Sequence, residues 1–325
     1  MLHWASGRGR GSVREVQDLS SIGGAVPEAP ARKSGIALAL GGGVARGWAH
    51  IGVLRALDEA GIEIDMIAGT SIGALVGGCY LAGKLDALEE FARGLTKRRI
   101  FGLLDFHLGG AGLLGGMKLT QRMQEHLNGV HIEDLPKPYV AVATEIRTGH
   151  EIWLSSGSLI TAMRASYALP GVFEPVPCNQ RILVDGALVN PVPVSVCRAY
   201  EQPLVIAVNL HYDLFGRAAV VKHSAGDELV VQHDAPPRGY LGRESANRES
   251  RLGITGVMVE AFNIIQDRIA RARLAGDPPD LSINPKLSHV GLTEFHRAEE
   301  SIRIGYETTM AHIAELQGMQ AIAGS

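Results

Sequence analysis

The chain has 325 residues, of which 46% are hydrophobic and 20% charged, so it can bury a sizeable core as one large or two small domains. Its formal net charge of −3, with lysine and arginine dispersed along the chain, argues against a nucleic-acid-binding protein. Cys79, Cys178 and Cys197 are odd in number and widely spaced, which argues against a disulfide framework or a zinc site and favours a reducing compartment.

The N-terminal residues 1–33 are rich in Gly, Ser, Arg and Pro and have no hydrophobic periodicity, which predicts a flexible leader. They lack the apolar segment of a signal peptide, and no stretch of the chain reaches the ~18 apolar residues of a membrane-spanning helix. We therefore expect a cytoplasmic protein whose fold begins near Ser34.

The first two predicted units each consist of a strand, a glycine-rich turn and a helix. GIALAL (35–40) is apolar throughout, as a buried strand is, and is followed by GGGVARG (41–47) and an amphipathic segment that ends at Gly61. The same order repeats with IEIDMIAG (62–69) and a short helix that stops at Gly83. Successive units of this kind predict a parallel sheet.

Further strands and a helix before Pro170 complete an α/β pattern. The predicted strands cover 139–144, 151–155, 181–186 and 203–210. Residues 211–250 lose this periodicity, which predicts an irregular surface excursion.

The C-terminal part, 251–325, is expected to be mainly helical and to pack on the same domain, with a short strand near 279–285. Apolar residues recur at helical spacing in its first helix and predict a buried face with basic residues outside; a helix lying on a membrane surface is the alternative. The apolar series is Met258, Ala261, Phe262, Ile265, Ile269 and Ala272.

GTSIG places Ser71 between Gly69 and Gly73, where the second strand meets its helix. A nucleophilic serine needs an exposed hydroxyl on a tight strand-to-helix turn, and small residues two positions before and after it permit that turn. The alternative is a helix N-cap, in which Thr70 or Ser71 bonds the first turn. The buried strand before the motif favours the catalytic interpretation.

GGGVARG can supply backbone N–H donors, because consecutive glycines allow the main chain to approach a substrate closely. A nucleotide-binding loop is the alternative, with Glu63 or Asp65 as the ribose ligand about twenty residues further on. The dinucleotide pattern fails because Val44 and Arg46 stand where glycines belong, and the P-loop pattern fails at Trp48. These mismatches favour an oxyanion hole.

ILVDGALVNPVPV places Asp185 at the end of a strand, before Gly186 and a proline-broken segment. A carboxylate there is a candidate general base, and an Asp that caps a turn is the alternative. A Ser-His-Asp triad would instead need a histidine, and no histidine has a distinguishing context. The candidates are His211, His223, His233, His289 and His296, with His50 close to the glycine loop.

Four blocks resemble, in order and spacing, those of the patatin-like phospholipase family over residues 35 to about 210: LALGGGVARGWAHIGVLRAL, GTSIGALVGGCYLAG, RASYALPGVFEPV and LVDGALVNPVPV. The tail is similar to the bacterial branch of that family related to neuropathy target esterase. The resemblance implies a three-layer α/β/α sandwich with a mainly parallel central sheet and a catalytic domain over 34–210. It also implies a serine acyl hydrolase that cleaves lipid acyl esters with a Ser–Asp dyad.

Position by position, the resemblance makes Ser71 the nucleophile and Asp185 the base, with Gly186 and Ala187 completing the motif after the base. Val44 stands where many members have Gly or Ser, which leaves open the N–H groups that face the oxyanion. Arg46 either holds this loop or attracts a lipid phosphate. The oxyanion loop comprises Gly42, Gly43, Val44, Arg46 and Gly47.

The expected partner is the lipid ester, either phospholipid or lysophospholipid, with peripheral membrane contact as an option. No cofactor is expected, and because the chain has no run of spaced acidic ligands, neither is a metal. The headgroup, the acyl chain length and the oligomeric state stay open.

Overall fold

The computed structural model describes residues 35–96, 112–114, 123, 125, 127–213 and 254–323. The predicted leader and the predicted excursion from residue 214 onward lie outside these ranges. Ser34–Ser325 form one compact unit.

The strands, numbered along the chain, are β1 (Ile36–Leu40), β2 (Ile64–Thr70), β3 (Gly112–Leu114), β4 (Tyr139–Glu145), β5 (Glu151–Leu154), β6 (Gly171–Phe173), β7 (Val176–Cys178), β8 (Arg181–Asp185), β9 (Leu204–Val208) and β10 (Leu281–Ile283). The helices are α1 (Ala49–Glu59), α2 (Ile72–Leu81), α3 (Leu85–Arg93), α4 (Leu159–Ser166), α5 (Val194–Ala199), α6 (Ile254–Gly276), α7 (Ala298–Met310) and α8 (Ile313–Ala323). Short 3-10 turns cover Val44–Trp48, Ile132–Asp134, Gly186–Leu188 and Phe295–Arg297.

The central sheet is parallel over most of its width. Its strand order is β10-β9-β1-β2-β4-β8-β7, and β5 also pairs with β4. The run from β10 to β4 is parallel, whereas β5 and β8 each pair with β4 in the antiparallel sense and β7 pairs with β8 in that sense. The carboxyl ends of β1 and β2 therefore lie at the same edge of the sheet, followed by the two glycine-rich turns.

Apolar residues cover both faces of the sheet, as expected for parallel strands that read as continuous hydrophobic runs. On one face, Leu38, Leu40 and Ile67 join a cluster with α1, α2 and α7. On the other face, Ala39 and Ala68 join a smaller cluster with α5 and Ala270 of α6. The three-layer α/β fold class is thus confirmed, and the strands predicted from sequence match β1, β2, β4, β5, β8, β9 and β10 within two residues at each end.

The buried face of α6 differs from the face that periodicity predicts. Met258 and Ile265 are about half exposed, and Ala261 and Ala272 are also exposed, so the prediction that they face the core is wrong. Phe262 is buried as the periodicity predicted, and the other buried positions are Asn263, Gln266, Asp267 and Ala270. The reason is tertiary: α6 packs over the turn that follows β8, and polar side chains fill part of that contact.

Candidate active site

The turn between β2 and α2 is a tight elbow with Ser71 at its apex. Ser71 has φ 56° and ψ −124°, a combination that side-chain-bearing residues rarely adopt and that accompanies functional sites. A Cβ at Gly69 would lie 2.5 Å from the Cα of Ala74, and one at Gly73 would collide with the carbonyl oxygen of Leu40. Glycine at both positions is therefore a steric requirement of the elbow.

Ser71 and Asp185 are in direct contact. The Ser71 Oγ donates a hydrogen bond to Oδ2 of Asp185 at 2.7 Å, a usual length for an O–H···O bond. The second carboxylate oxygen, Oδ1, accepts the backbone N–H of Ala187 at 2.8 Å. Both side chains are buried, with Ser71 8% exposed and Asp185 2% exposed.

Strand register accounts for this contact between residues far apart in sequence. Thr70 of β2 lies opposite Val142 of β4, and the next residue of β4, Ala143, lies opposite Asp185 of β8. β5 pairs with the other side of β4, so the carboxyl ends of β2 and β8 meet on one side of β4 at neighbouring residues. Gly186 keeps the turn after β8 close to β4, because a Cβ there would collide with the carbonyl oxygen of Val142.

Burial sets the electrostatics of the carboxylate. Removal from water raises the pKa of Asp185 to about 7, although the Ser71 hydroxyl and the Ala187 N–H act in the opposite direction by bonding the charged form. A carboxylate whose pKa lies near neutrality is a better proton acceptor than an exposed aspartate, because general bases work best with a pKa close to the operating pH.

The C-terminal end of α4 and the residues that follow it hold the backbone of both Ser71 and Asp185. Ser166 Oγ accepts the N–H of Ser71 at 2.9 Å and donates to the carbonyl of Val142 at 2.6 Å. Two residues further on, the carbonyl of Ala168 accepts the N–H of Asp185 at 3.0 Å. Sequence reasoning missed Ser166; the only signal was its place in the family-like block RASYALPGVFEPV.

The glycine loop lies against the elbow. The N–H of Gly42 donates to the carbonyl of Pro191 at 2.9 Å, whereas the N–H groups of Gly43 and Val44 have no acceptor among the described residues. A Cβ at Gly42 would lie 3.6 Å from the Cβ of Ser71, so this part of the loop borders the serine. Val44 has φ 51°, in the left-handed region that glycine tolerates better than a β-branched residue.

Arg46 and Gly47 fix the loop to its surroundings. The Arg46 side chain is buried, and its Nε donates to the carbonyls of Leu287 and Val290 at 3.2 and 2.8 Å. Gly47 packs on the first residue of α2, because a Cβ there would collide with the side chain of Ile72. These contacts give both residues an anchoring role in the loop.

The described histidines take no part in the serine–aspartate contact: none of them bonds the side chain of Ser71 or Asp185. His50 contacts the carbonyl of Gly41 through Nε2 at 2.7 Å, and burial lowers the pKa of His50 and of His211 to about 4 each. His289 bonds Glu300, and the candidates at 223 and 233 fall outside the described residues.

The described residues give little support for a nucleotide site, a metal site or a membrane-spanning helix. Asp65, considered as a ribose ligand, forms an ion pair with Lys137 at 2.6 Å. In the part of the chain that the structure describes, no three His, Cys, Asp or Glu side chains are grouped as a metal site would require. Nor do the described helices include one with the length and apolar character to cross a membrane.

Comparison with known proteins identifies the family. The patatin-like phospholipase family model matches residues 38–198. An uncharacterised NTE family protein of Mycobacterium tuberculosis is 35% identical over 319 residues, covering 83% of this chain and 89% of that protein. Patatin-like phospholipase domain-containing protein 6 of Mus musculus is 34% identical over 182 residues, covering 54% of this chain and 13% of that protein.

Among solved structures, VipD from Legionella pneumophila is similar with a TM-score of 0.45 and 14% sequence identity, over 88% of this chain and 67% of VipD. The family assignment depends on the sequence matches, which include most of the mycobacterial relative. This chain belongs to the patatin-like phospholipase family.

Proposed function

We propose that this protein is a serine hydrolase that cleaves the acyl ester bonds of phospholipids or lysophospholipids, with Ser71 as nucleophile and Asp185 as general base. The observation that carries the proposal is the 2.7 Å hydrogen bond from the Ser71 Oγ to a buried carboxylate. Membership of the patatin-like phospholipase family supports a lipid acyl substrate. The free thiols Cys79, Cys178 and Cys197 fit a reducing compartment, and we include a cytoplasmic location in the proposal.

The reaction proceeds through an acyl-enzyme. Asp185 Oδ2 takes the Ser71 hydroxyl proton while Oγ attacks the ester carbonyl carbon, and the carbonyl oxygen becomes an oxyanion. As the tetrahedral intermediate collapses, the ester C–O bond breaks and Asp185 returns the proton to the leaving alcohol. A water molecule then gives a proton to Asp185 and attacks the acyl carbon, and Ser71 recovers that proton as the fatty acid leaves.

The oxyanion hole in this proposal consists of the N–H groups of Gly43 and Val44. They are unoccupied by acceptors in the described structure, whereas the Gly42 N–H is bonded to Pro191. Each donor of this kind typically contributes about 2.7–4 kcal/mol of transition-state stabilisation. The loop can therefore contribute as much to the rate as the base does.

The Ala187 N–H supports the base in its resting state. It bonds Oδ1 of Asp185, which leaves Oδ2 directed at the Ser71 hydroxyl. The same bond restrains the carboxylate when it carries the proton. A dyad of this kind needs no histidine to orient the base, because the backbone turn after β8 already does so.

Covalent labelling tests the proposal. A fluorophosphonate probe should label the wild-type protein and the Ser155→Ala control, which lacks an exposed serine outside the site, but not Ser71→Ala. Wild type and Ser155→Ala should also hydrolyse p-nitrophenyl butyrate, and Ser71→Ala should not. Equal labelling of Ser71→Ala would refute the assignment of the nucleophile, and a wild-type protein that is never labelled would indicate a non-catalytic binding protein.

A further inference from the structure

Helix α6 reverses the usual distribution of polar and apolar residues on a surface helix. Asn263, Gln266 and Asp267 are each no more than 3% exposed. Four large apolar side chains on the same helix are exposed by roughly half: Val257 at 51%, Met258 at 50%, Ile264 at 47% and Ile265 at 46%. A helix on the surface of a water-soluble domain normally has the opposite pattern.

Gln266, on the polar side of α6, borders the candidate active site. The Oε1 atom of Gln266 lies 3.3 Å from where a Cβ at Gly42 would stand. Phe262, on the same side of the helix, packs with Leu169 and Ala187 beside the catalytic carboxylate. The outward side of α6 is thus continuous with the wall of the site through Phe262.

The exposed apolar side chains form one patch. At 100° per residue, Val257, Met258, Ile264 and Ile265 fall within a sector about 120° wide and over a length of about 12 Å. Ala261 and Arg268 lie in the same sector and are exposed as well, and Glu260 lies just outside it. We call Val257, Met258, Ile264 and Ile265 the α6 apolar face. Soluble proteins rarely leave contiguous apolar surface uncovered unless it binds something.

We propose that the α6 apolar face docks on the surface of a lipid bilayer and brings the Ser71 site to its substrate. This inference rests on the proposed function, because a lipid ester hydrolase meets its substrate in an aggregated phase. The patch adjoins the buried apolar cluster of Phe262, Leu169 and Ala187, and the Ala187 N–H bonds the Asp185 carboxylate, so apolar side chains connect the docking face with the site. Arg268 lies in the same sector just beyond Ile265, where its cation can reach a lipid phosphate.

Apolar burial, and not long-range attraction, drives this docking. The chain carries a net charge of −3, and Glu260 next to the face offsets Arg268, so the protein gains little from the charge of an anionic bilayer. Binding should therefore persist in 0.5 M NaCl, where the Debye length falls well below 10 Å.

Vesicle sedimentation tests the proposal with the full chain. Vesicles of phosphatidylcholine and phosphatidylglycerol are incubated with wild type, with the double variant Ile264→Glu and Ile265→Glu, and with Ile322→Glu, a control at an isoleucine of α8 that is 78% exposed. The double variant should lose at least about tenfold in vesicle affinity, because two side chains leave the apolar contact, while the control should bind like wild type. All three should hydrolyse soluble p-nitrophenyl butyrate at similar rates.

Each other outcome has a definite meaning. Undiminished sedimentation of the double variant would overturn the inference. A second outcome would also overturn it: the wild-type protein does not bind vesicles and is a dimer in solution, and the double variant is a monomer. A second copy of the chain would then cover the α6 apolar face. If the double variant loses soluble-ester activity through misfolding, the milder Ile264→Ser with Ile265→Ser replaces it. Failure of wild type on the soluble ester would refute the proposed function instead.

Discussion

The hydroxyl of Ser166 binds the backbone of Ser71, the proposed nucleophile: its Oγ accepts the Ser71 N–H at 2.9 Å and donates to the Val142 carbonyl of β4 at 2.6 Å. A residue with φ 56° turns its N–H away from the acceptors of a regular strand or helix, so a side chain has to supply one. Because the Ala168 carbonyl holds the Asp185 N–H, the same short segment sets the separation between nucleophile and base.

Replacing Ser166 with alanine should therefore lower kcat much more than it changes KM. The variant leaves the Ser71 N–H unbonded in a buried site, which costs about 1–3 kcal/mol if the elbow keeps its shape and misplaces the hydroxyl if it does not. Ser301→Ala is the matched control, because Ser301 is equally buried and its hydroxyl has no hydrogen-bond partner in the part of the chain that the structure describes. If steady-state kinetics give both variants the kcat and KM of wild type, Ser166 does not position Ser71.

Gly43→Ala should fold and lose turnover. A Cβ at Gly43 would lie 2.7 Å from Cδ1 and 3.0 Å from Cβ of Leu210. Rotation of the Leu210 side chain relieves only the first contact, so the loop shifts and carries the Gly43 and Val44 N–H groups with it. The loss of one oxyanion donor predicts a decrease in kcat of about 10²–10³. Gly318→Ala, at a helical site with open space around it, is the control and should keep full activity. An unchanged kcat for Gly43→Ala would move the oxyanion hole elsewhere.

Asp185→Asn should stabilise the protein in a pH-dependent way. The pKa of Asp185 is about 7 in the fold and about 3.9 in an unfolded chain, so the unfolded state loses this proton first as the pH rises. The wild-type protein therefore loses stability between about pH 4 and pH 7. The variant cannot ionise, so its Tm should exceed that of wild type at pH 8, with the difference shrinking toward pH 4.5.

Thermal unfolding of wild type, Asp185→Asn and Ser71→Ala at pH 8, 6 and 4.5 checks this expectation. Ser71→Ala keeps the buried carboxylate, so its Tm should retain the pH dependence that Asp185→Asn loses. A Tm difference between wild type and Asp185→Asn that is constant across this range would contradict the effect of burial on the carboxylate.

His211→Leu should keep its turnover. The imidazole is buried, neither ring nitrogen has a hydrogen-bond partner among the described residues, and burial lowers its pKa to about 4. An apolar side chain of similar size can replace an unbonded buried ring at little cost. The kcat of this variant should lie within about threefold of wild type, whereas a loss as large as that of Ser71→Ala would favour a triad that includes a histidine.

The local sequence pattern was sufficient to predict the tight strand-to-helix turn at Ser71, because that turn requires glycine at positions 69 and 73. It was also sufficient for the parallel strands β1, β2, β4, β9 and β10, since buried parallel strands read as apolar runs, but it did not reveal the short strands β3, β6 and β7. It could not reveal which loop amides have acceptors, because the acceptor of the Gly42 N–H is Pro191, which only the fold brings near.

The same limit explains why the sequence did not reveal the contact of Ser166 with the elbow or the buried side of α6. A serine near the end of a helix has no local mark of a contact with a distant elbow. Periodicity predicted that the apolar side of α6 is buried, because it assumes that water lies outside and a core inside. In the fold, Gln266 and Phe262 face the candidate site, and that contact decides which side of the helix is covered.

The most direct test is the pH profile of kcat/KM for p-nitrophenyl butyrate in wild type and in Asp185→Asn. Wild-type activity should rise with pH through a pKa of about 7, as the Asp185 carboxylate becomes available to accept the Ser71 proton. Asp185→Asn should be inactive across the whole range while it remains folded. An Asp185→Asn protein that hydrolyses the ester at the wild-type rate, with the same rise near pH 7, would contradict the proposed dyad.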